Sequence, residues 1–360
     1  MNNIEDIEKK KKIKYNADIE FIVKSILENI AEVQAIILCG GFGRDEGTWI
    51  IKDGDIMPYN DYDIAIITDT TVDVAFTEEL RKNLAAEIGI HWVDIDYYPI
   101  KKLINLKASI KNFDLIYGSK IIYGNKNIFN DCSINAKEIG TDDIETLYFT
   151  RLWTFFGIID GEFKNLDLDE AVFFRNQMAK AVLAIVDTLL IQKKNYHSSY
   201  CERIRRLENL CSEKTALVKM AKWALNEKLS PTMKPMSRED CIEIYNSVYW
   251  LYREEMLAAL SDKYFFKLDK PNRYAWNFNM PIEIARKIYI TNIRGVRGYK
   301  KACMSRVLQN AMFLAYNGGD IDEHYMKDVS NALKKLGCEY AMGWQWNKLC
   351  PLVAYIRNQK

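Results

Sequence analysis

AIILCGGFGRDEGTWIIKDGDIMPYNDYDIAIIT, residues 35–68, is the stretch that decides how this chain folds. Ala35–Cys39 is an apolar run too short for a helix and stopped by Gly40-Gly41, the pattern of a buried strand that ends in a tight turn. Asp63–Thr68 (DIAIIT) reads as a second strand. Between them, Gly40, Gly41 and Gly43 carry no Cβ, so backbone can approach an anion closely and aim N–H groups at it. Arg44 adds a planar, permanently charged donor for the same anion, a phosphate. Asp61 and Asp63 stand two apart at the start of the second strand. The two-residue period of a strand puts both carboxylates on one face, where they can share a hard divalent cation.

Working outward, Trp92–Tyr98 (WVDIDYY) predicts a third strand. An acid within an otherwise apolar strand needs a partner, because an unpaired buried carboxylate is costly. Asp94 and Asp96 share a face of that strand, and either can reach the same ions. Strands about 4.8 Å apart allow three acids to converge on two metals, for which Mg²⁺ is the natural choice. Val74–Ile88 has helical spacing, as does Ala17–Ile30 with Ile19, Ile22, Val23, Ile26 and Leu27. Helix, strand, turn, strand, helix, strand is the order of an α/β unit, a mixed sheet flanked by helices.

Beyond residue 140 the pattern turns helical. Asp142 or Asp143 caps a helix through Leu152, and Glu170–Lys194 is long and strongly apolar. Ser237 and Asp240 form a capping box before Ile242–Leu260, Pro281 opens Ile282–Tyr289, and Tyr325–Leu336 follows the Asn317-Gly318-Gly319-Asp320 stop. The expected organisation is an α/β domain over residues 1–140 and a mostly α-helical domain over residues 141–360.

Composition narrows the function. The 360 residues carry 50 Lys+Arg against 49 Asp+Glu, a formal charge of +1. That balance argues against a protein that coats duplex nucleic acid or an anionic membrane, each of which calls for a basic excess. Met1–Lys14 has no apolar core of a signal peptide, and Ala181–Ile191 is too short to span a bilayer. The eight Cys are scattered without a CxxC pair, as in reduced, cytoplasmic proteins, and three His make a His-rich zinc site improbable.

The strand, the Gly-Gly turn, the D-x-D strand start and the acid on a later strand together resemble the DNA polymerase β-like nucleotidyltransferase superfamily. The form G-G-F-G-R-D-E-G … N-D-Y-D is similar to the turn of bacterial protein uridylyl- and adenylyltransferases, and the helical remainder is similar to small aminoglycoside-type nucleotidyltransferases. The resemblance covers residues 17–105. It implies that Gly40 and Gly41 cradle a triphosphate, that Arg44 contacts phosphate and that Asp61 and Asp63 hold Mg²⁺ or Mn²⁺. For the third carboxylate it favours Asp96 over Asp94, since D-Y-Y-P resembles the family's acid, two apolar residues and Pro. The implied reaction moves an NMP from an NTP to a hydroxyl and releases pyrophosphate, with substrate held between the two domains. The segment from Gly41 to Asp61 is longer than in minimal members, with Lys52–Asp55 as an inserted turn.

The helical half names no acceptor. Asn176, Lys180 and Asp187 form a polar stripe that either faces solvent or lines the site, with Lys180 reaching phosphate. Related enzymes complete the nucleotide pocket with a Ser and an aromatic from this half, which makes Ser198 and Tyr200 candidates beside their plainer role in a helix cap. Arg294, Arg297, Lys300 and Lys301 form a local basic cluster. Asp45, Glu46, Asp53 and Asp55 read as solvated loop charges, Cys39 as a small buried residue, and the Tyr and Trp, including Trp344 and Trp346, as packing groups. The acceptor is expected to be a small molecule or a protein rather than an extended nucleic acid. Two alternatives remain: an antitoxin-like or regulatory protein that uses the fold to bind a partner protein, and a nucleotide second-messenger synthase.

Overall fold

The structure, a computed structural model, describes residues 4–52, 54–59, 61–69, 72–157, 162–264, 308–309, 312–318, 320–336, 338 and 346–358. The helix expected at Ile282–Tyr289, the basic cluster Arg294–Lys301, Trp344 and Asp53 lie outside these. The chain divides into two compact units: Met1–Asp143 with Leu189–Thr232, and Ile144–Thr188 with Met233–Lys360. Among the described residues, no helix is long and apolar enough to cross a membrane.

The first unit is α/β. Helix α1 (Ile4–Asn29) precedes strand β1 (Ala35–Cys39), the short helical turn α2 (Gly40–Gly43), strands β2 (Trp49–Lys52), β3 (Asp55–Pro58) and β4 (Tyr62–Ile67), helix α3 (Val74–Ile88) and strand β5 (Val93–Tyr98). Helices α4 (Ile100–Leu103) and α5 (Ile110–Tyr117) and strand β6 (Lys120–Gly124) follow. The sheet runs β5-β4-β1-β6. Strand β1 is antiparallel to both β4 and β6, whereas β4 and β5 are parallel and joined through α3.

Alternation sorts the side chains onto two faces. Ile36, Leu38, Tyr62, Ile64, Ile66, Val93 and Ile95 form one core with residues of α1 and α3. Ala35, Ile37, Ala65 and Ile67 form the other with Leu103 and Leu115. The three strands read from the sequence are present. The fourth, β6, went unread because KIIYG is short and lies on the sheet edge. The inserted stretch after the turn folds as the β2–β3 hairpin, a two-stranded sheet of its own.

Helix α1 starts earlier than its apolar spacing predicts. Lys9, Lys10 and Lys12 are exposed there, and Lys10 pairs with Asp6 one turn back at 3.4 Å. Helix α3 covers the expected Val74–Ile88, with the Asp73 carboxylate accepting from the amides of Ala75 and Phe76 and Gly89 ending it in a left-handed conformation. Helices α8 (Tyr200–Leu210) and α9 (Thr215–Leu229) also belong to the first unit.

The second unit is mostly helical. It holds most of α6 (Thr141–Gly157), most of α7 (Leu168–Gln192) and α10 (Arg238–Tyr264), together with Glu323–Lys335 and Trp346–Asn358. Asp240 N donates to Ser237 Oγ at 3.1 Å, so the expected cap opens α10. Its core is aromatic: Phe155, Tyr245, Tyr249, Tyr252, Phe313, Tyr316 and Trp346 are all buried. The buried hydroxyls find acceptors, Tyr245 on the Phe155 carbonyl at 2.9 Å and Tyr252 on that of Tyr148 at 2.7 Å. The rings are packing groups, as expected. On α7, Asn176 and Asp187 are buried rather than solvated, because nearly the whole circumference of that helix is covered.

Candidate functional site

Hydrogen bonding of β4 to β5 sets the site. The register aligns Asp63 with Asp94 and, one strand repeat further, Ala65 with Asp96. Carboxylate oxygens of Asp61, Asp63 and Asp94 consequently lie within 4.8 Å of one another, a group that could hold a metal ion. Asp96 points from the same face but is held elsewhere: Lys111 Nζ of α5 lies 2.9 Å from its Oδ2 and 5.7 Å from the centre of the Tyr98 ring. The structure thus gathers Asp61 and Asp63 with Asp94, and pairs Asp96 with Lys111.

Gly40 makes that gathering sterically feasible. Its φ is +62°, and a Cβ built there would overlap the Asp63 carboxylate. A side chain at Gly43 would likewise run into the Leu38 carbonyl. The turn after β1 is therefore backbone laid directly against the D-x-D strand. A cavity of about 460 Å³ opens here, its wall including Gly40, Asp63, Asp94, Asp96, Tyr98 and Lys111.

Electrostatically the site is strained in the direction a cation would relieve. Burial, then the charges of Asp61 and Asp94, push the Asp63 carboxyl up to about 7, with Lys228 and Arg44 pulling partly the other way. A cluster of oxygen donors with too little positive charge of its own fits a hard divalent ion. The thiol of Cys39 is pushed up to about 12 by burial and then by Asp63 and Asp96, so it is not a thiolate nucleophile at neutral pH.

The other sequence candidates are placed less simply. The Arg44 side chain is 6% exposed, with Nε 3.4 Å from Glu46 Oε2 and Nη1 3.3 Å from Asp114 Oδ2. Its guanidinium lies 4.8 Å from the centre of the Tyr200 ring. It borders the cavity, but as part of a buried ionic network. Asp114 is shared with Arg203, whose Nη2 lies 3.1 Å away, and accepts from the Tyr196 hydroxyl at 3.1 Å. Ser198 is buried, its Oγ donating to the Tyr117 carbonyl at 3.3 Å. Lys180 sits half-buried on α7 in the second unit.

Glu46 corrects an expectation. Instead of a solvated loop charge it is 8% exposed and accepts from Ser199 Oγ and from the amides of Tyr200 and Cys201. Burial alone would raise its pKa, but those donors together with Arg44 hold the carboxyl below its ordinary range. Asp45 and Asp55 are exposed as expected, Asp45 paired with Lys120. Nothing in D-E-G distinguishes Glu46 from its neighbour, since its donors come from a helix more than 150 residues away.

No family model and no curated protein matches the chain. Among solved structures, it is similar over part of its length to the toxin-antitoxin MntA-HepT, with 21% identity, 32% of this chain and 76% of that chain covered, and a TM-score of 0.21. It is likewise similar to the toxin-antitoxin with AMP-PNP, with 22% identity, 30% and 75% covered, and a TM-score of 0.22. Likenesses of this size carry no weight for the chemistry of the site.

Proposed function

We propose that this chain is a divalent-metal-dependent nucleotidyltransferase that moves an NMP from an NTP to a hydroxyl of a small molecule or protein, releasing pyrophosphate. The observation that carries this reading is the meeting of the Asp61, Asp63 and Asp94 carboxylates within 4.8 Å of one another beside the Gly40 turn. Their all-oxygen donor set suits Mg²⁺ or Mn²⁺, and the raised Asp63 carboxyl is the charge imbalance such an ion would settle. Bound there, the ion would supply Lewis acidity for the attacking hydroxyl and the leaving oxygens.

The protein's own groups divide the remaining work. Asp61 and Asp63 hold the donor side of the site. Asp94, rather than Asp96, is the third carboxylate and takes the acceptor's proton at an Oδ, because the β4–β5 register sets it opposite Asp63. Gly40 and Gly41 present bare backbone to the triphosphate. Arg44 acts mainly by holding the turn, its charge being shared with Glu46 and Asp114.

Incubation with each α-labelled NTP, Mg²⁺ or Mn²⁺ and a cell extract, with products resolved by size, tests the reading. Label should enter a small-molecule or protein fraction, and a folded Asp63→Ala variant should lose at least about 10³-fold of it. Undiminished transfer in that variant would sink the assignment. A product formed from NTP alone would redirect it to a second-messenger synthase. Metal and nucleotide binding with no transfer to any fraction would redirect it to a regulatory binding protein.

A further inference from the structure

The turn that carries Gly40 is four residues long, too short to hold its own conformation. Its support comes from Glu46. The Glu46 amide donates to the Gly41 carbonyl at 2.8 Å, and its own carbonyl lies so close that a Cβ on Gly41 would stand 3.1 Å away. Its carboxylate reaches in the opposite direction to the first turn of α8. There it accepts from Ser199 Oγ at 2.7 Å, Tyr200 N at 2.9 Å and Cys201 N at 3.1 Å. Ser199 Oγ meanwhile accepts from Glu202 N at 3.2 Å, so helix cap and carboxylate are interlocked. Arg44 completes the brace from the other side through Glu46 and Asp114.

We propose that Glu46 is a positioning residue for the metal site: by tying the Gly40–Gly43 turn to the N-terminus of α8 it keeps Gly40 seated against Asp63, and so keeps the Asp61–Asp63–Asp94 group closed. This rests on the nucleotidyltransferase reading and extends it to a residue that touches neither metal nor substrate. A buried carboxylate with several donors is a stiff connection, because each donor lost leaves an uncompensated charge. Loosening it lets the turn drift by fractions of an ångström, and the carboxylate that Gly40 makes room for drifts with it.

The test measures Mn²⁺ affinity of the full-length protein by titration calorimetry in wild type, Glu46→Ala, Glu46→Gln and Asp63→Asn, with circular dichroism to establish folding. Asp63→Asn should abolish binding, which assigns the signal to this site. Glu46→Ala should raise the Mn²⁺ dissociation constant about tenfold, the scale on which outer supports of metal ligands act. Glu46→Gln keeps one acceptor oxygen but turns an NH2 toward N–H donors on the other side, so its affinity should fall between wild type and Glu46→Ala. Should Glu46→Ala fail to fold, Ser199→Ala, which removes one of the three donors, should show a smaller loss of affinity. Mn²⁺ affinity unchanged in folded Glu46→Ala, or in Ser199→Ala where Glu46→Ala does not fold, overturns the positioning role while leaving the metal site standing. Absence of Mn²⁺ binding in the wild type overturns the metal-site reading itself.

Discussion

Asp94 and Asp96 differ by one strand repeat, about 6–7 Å along β5, and that offset decides which carboxylate joins Asp63. Asp94→Asn should cut transfer about 10²–10⁴-fold, the range for loss of a proton-accepting group. Asp96→Asn should leave most of it, since Lys111 already neutralises that side chain. Steady-state rates of the two purified variants check the difference; equal losses would put both acids in the reaction. Gly40→Ala is a second prediction at this scale. The left-handed backbone alone costs about 1–2 kcal/mol for an L side chain. The added Cβ also displaces Asp63, so transfer and Mn²⁺ binding should vanish together with a fall in urea midpoint.

At the scale of elements, α8 matters as much as the sheet. Ser199 caps it, and replacing that residue with Ala should cost about 1 kcal/mol, read from urea denaturation. Strands β1 and β4 were legible in the sequence because AIILC and DIAIIT are buried on both faces and read as unbroken apolar runs. Helix α3 was legible from its periodicity, while its Asp73 and Gly89 ends are seen in the structure. Strand β6 was not, because a short edge strand carries little pattern, and neither was the β2–β3 hairpin, which read only as an inserted turn. The polar stripe of α7 shows the limit of such reading: spacing reveals which residues share a face, not whether another element covers it.

Across the whole molecule, the carboxylates predict how stability responds to pH and metal. The Asp63 carboxyl, ordinarily near 3.8, stands at about 7 in the folded protein. Between those values the native state holds a proton that the unfolded chain has released, so this group lowers stability as pH rises from about 4 to 7. Asp18 and Asp114, raised by burial, act with the same sign. Glu46, held low, stabilises above its ordinary range and is lost in acid, and His197, lowered first by burial, also weakens the fold in acid. Thermal melts of wild type against Asp63→Asn isolate the Asp63 contribution: the variant should gain relative stability as pH rises from 5 to 8. Mg²⁺ or Mn²⁺ binds the ionised form, so either ion should raise the wild-type melting temperature more at pH 8 than at pH 6. A metal effect independent of pH, or equal in the variant, would remove Asp63 from the site.

The sequence by itself determined the strands, the glycine turn between them and the presence of acids at the strand starts, because these rest on local properties: apolar runs, missing Cβ atoms and two-residue alternation. It also determined that Asp61 and Asp63 would face one way. Tertiary structure alone decided which later acid joins them, because Asp94 and Asp96 share one face of β5 and only the pairing register in the assembled sheet sets Asp94, not Asp96, beside Asp63. Only tertiary structure, too, turned Glu46 from a loop charge into a buried helix cap and drew Arg44 into an ionic network. A carboxylate's role depends on the donors that surround it, and here those donors arrive from α8, brought close by the fold and invisible in the order of residues.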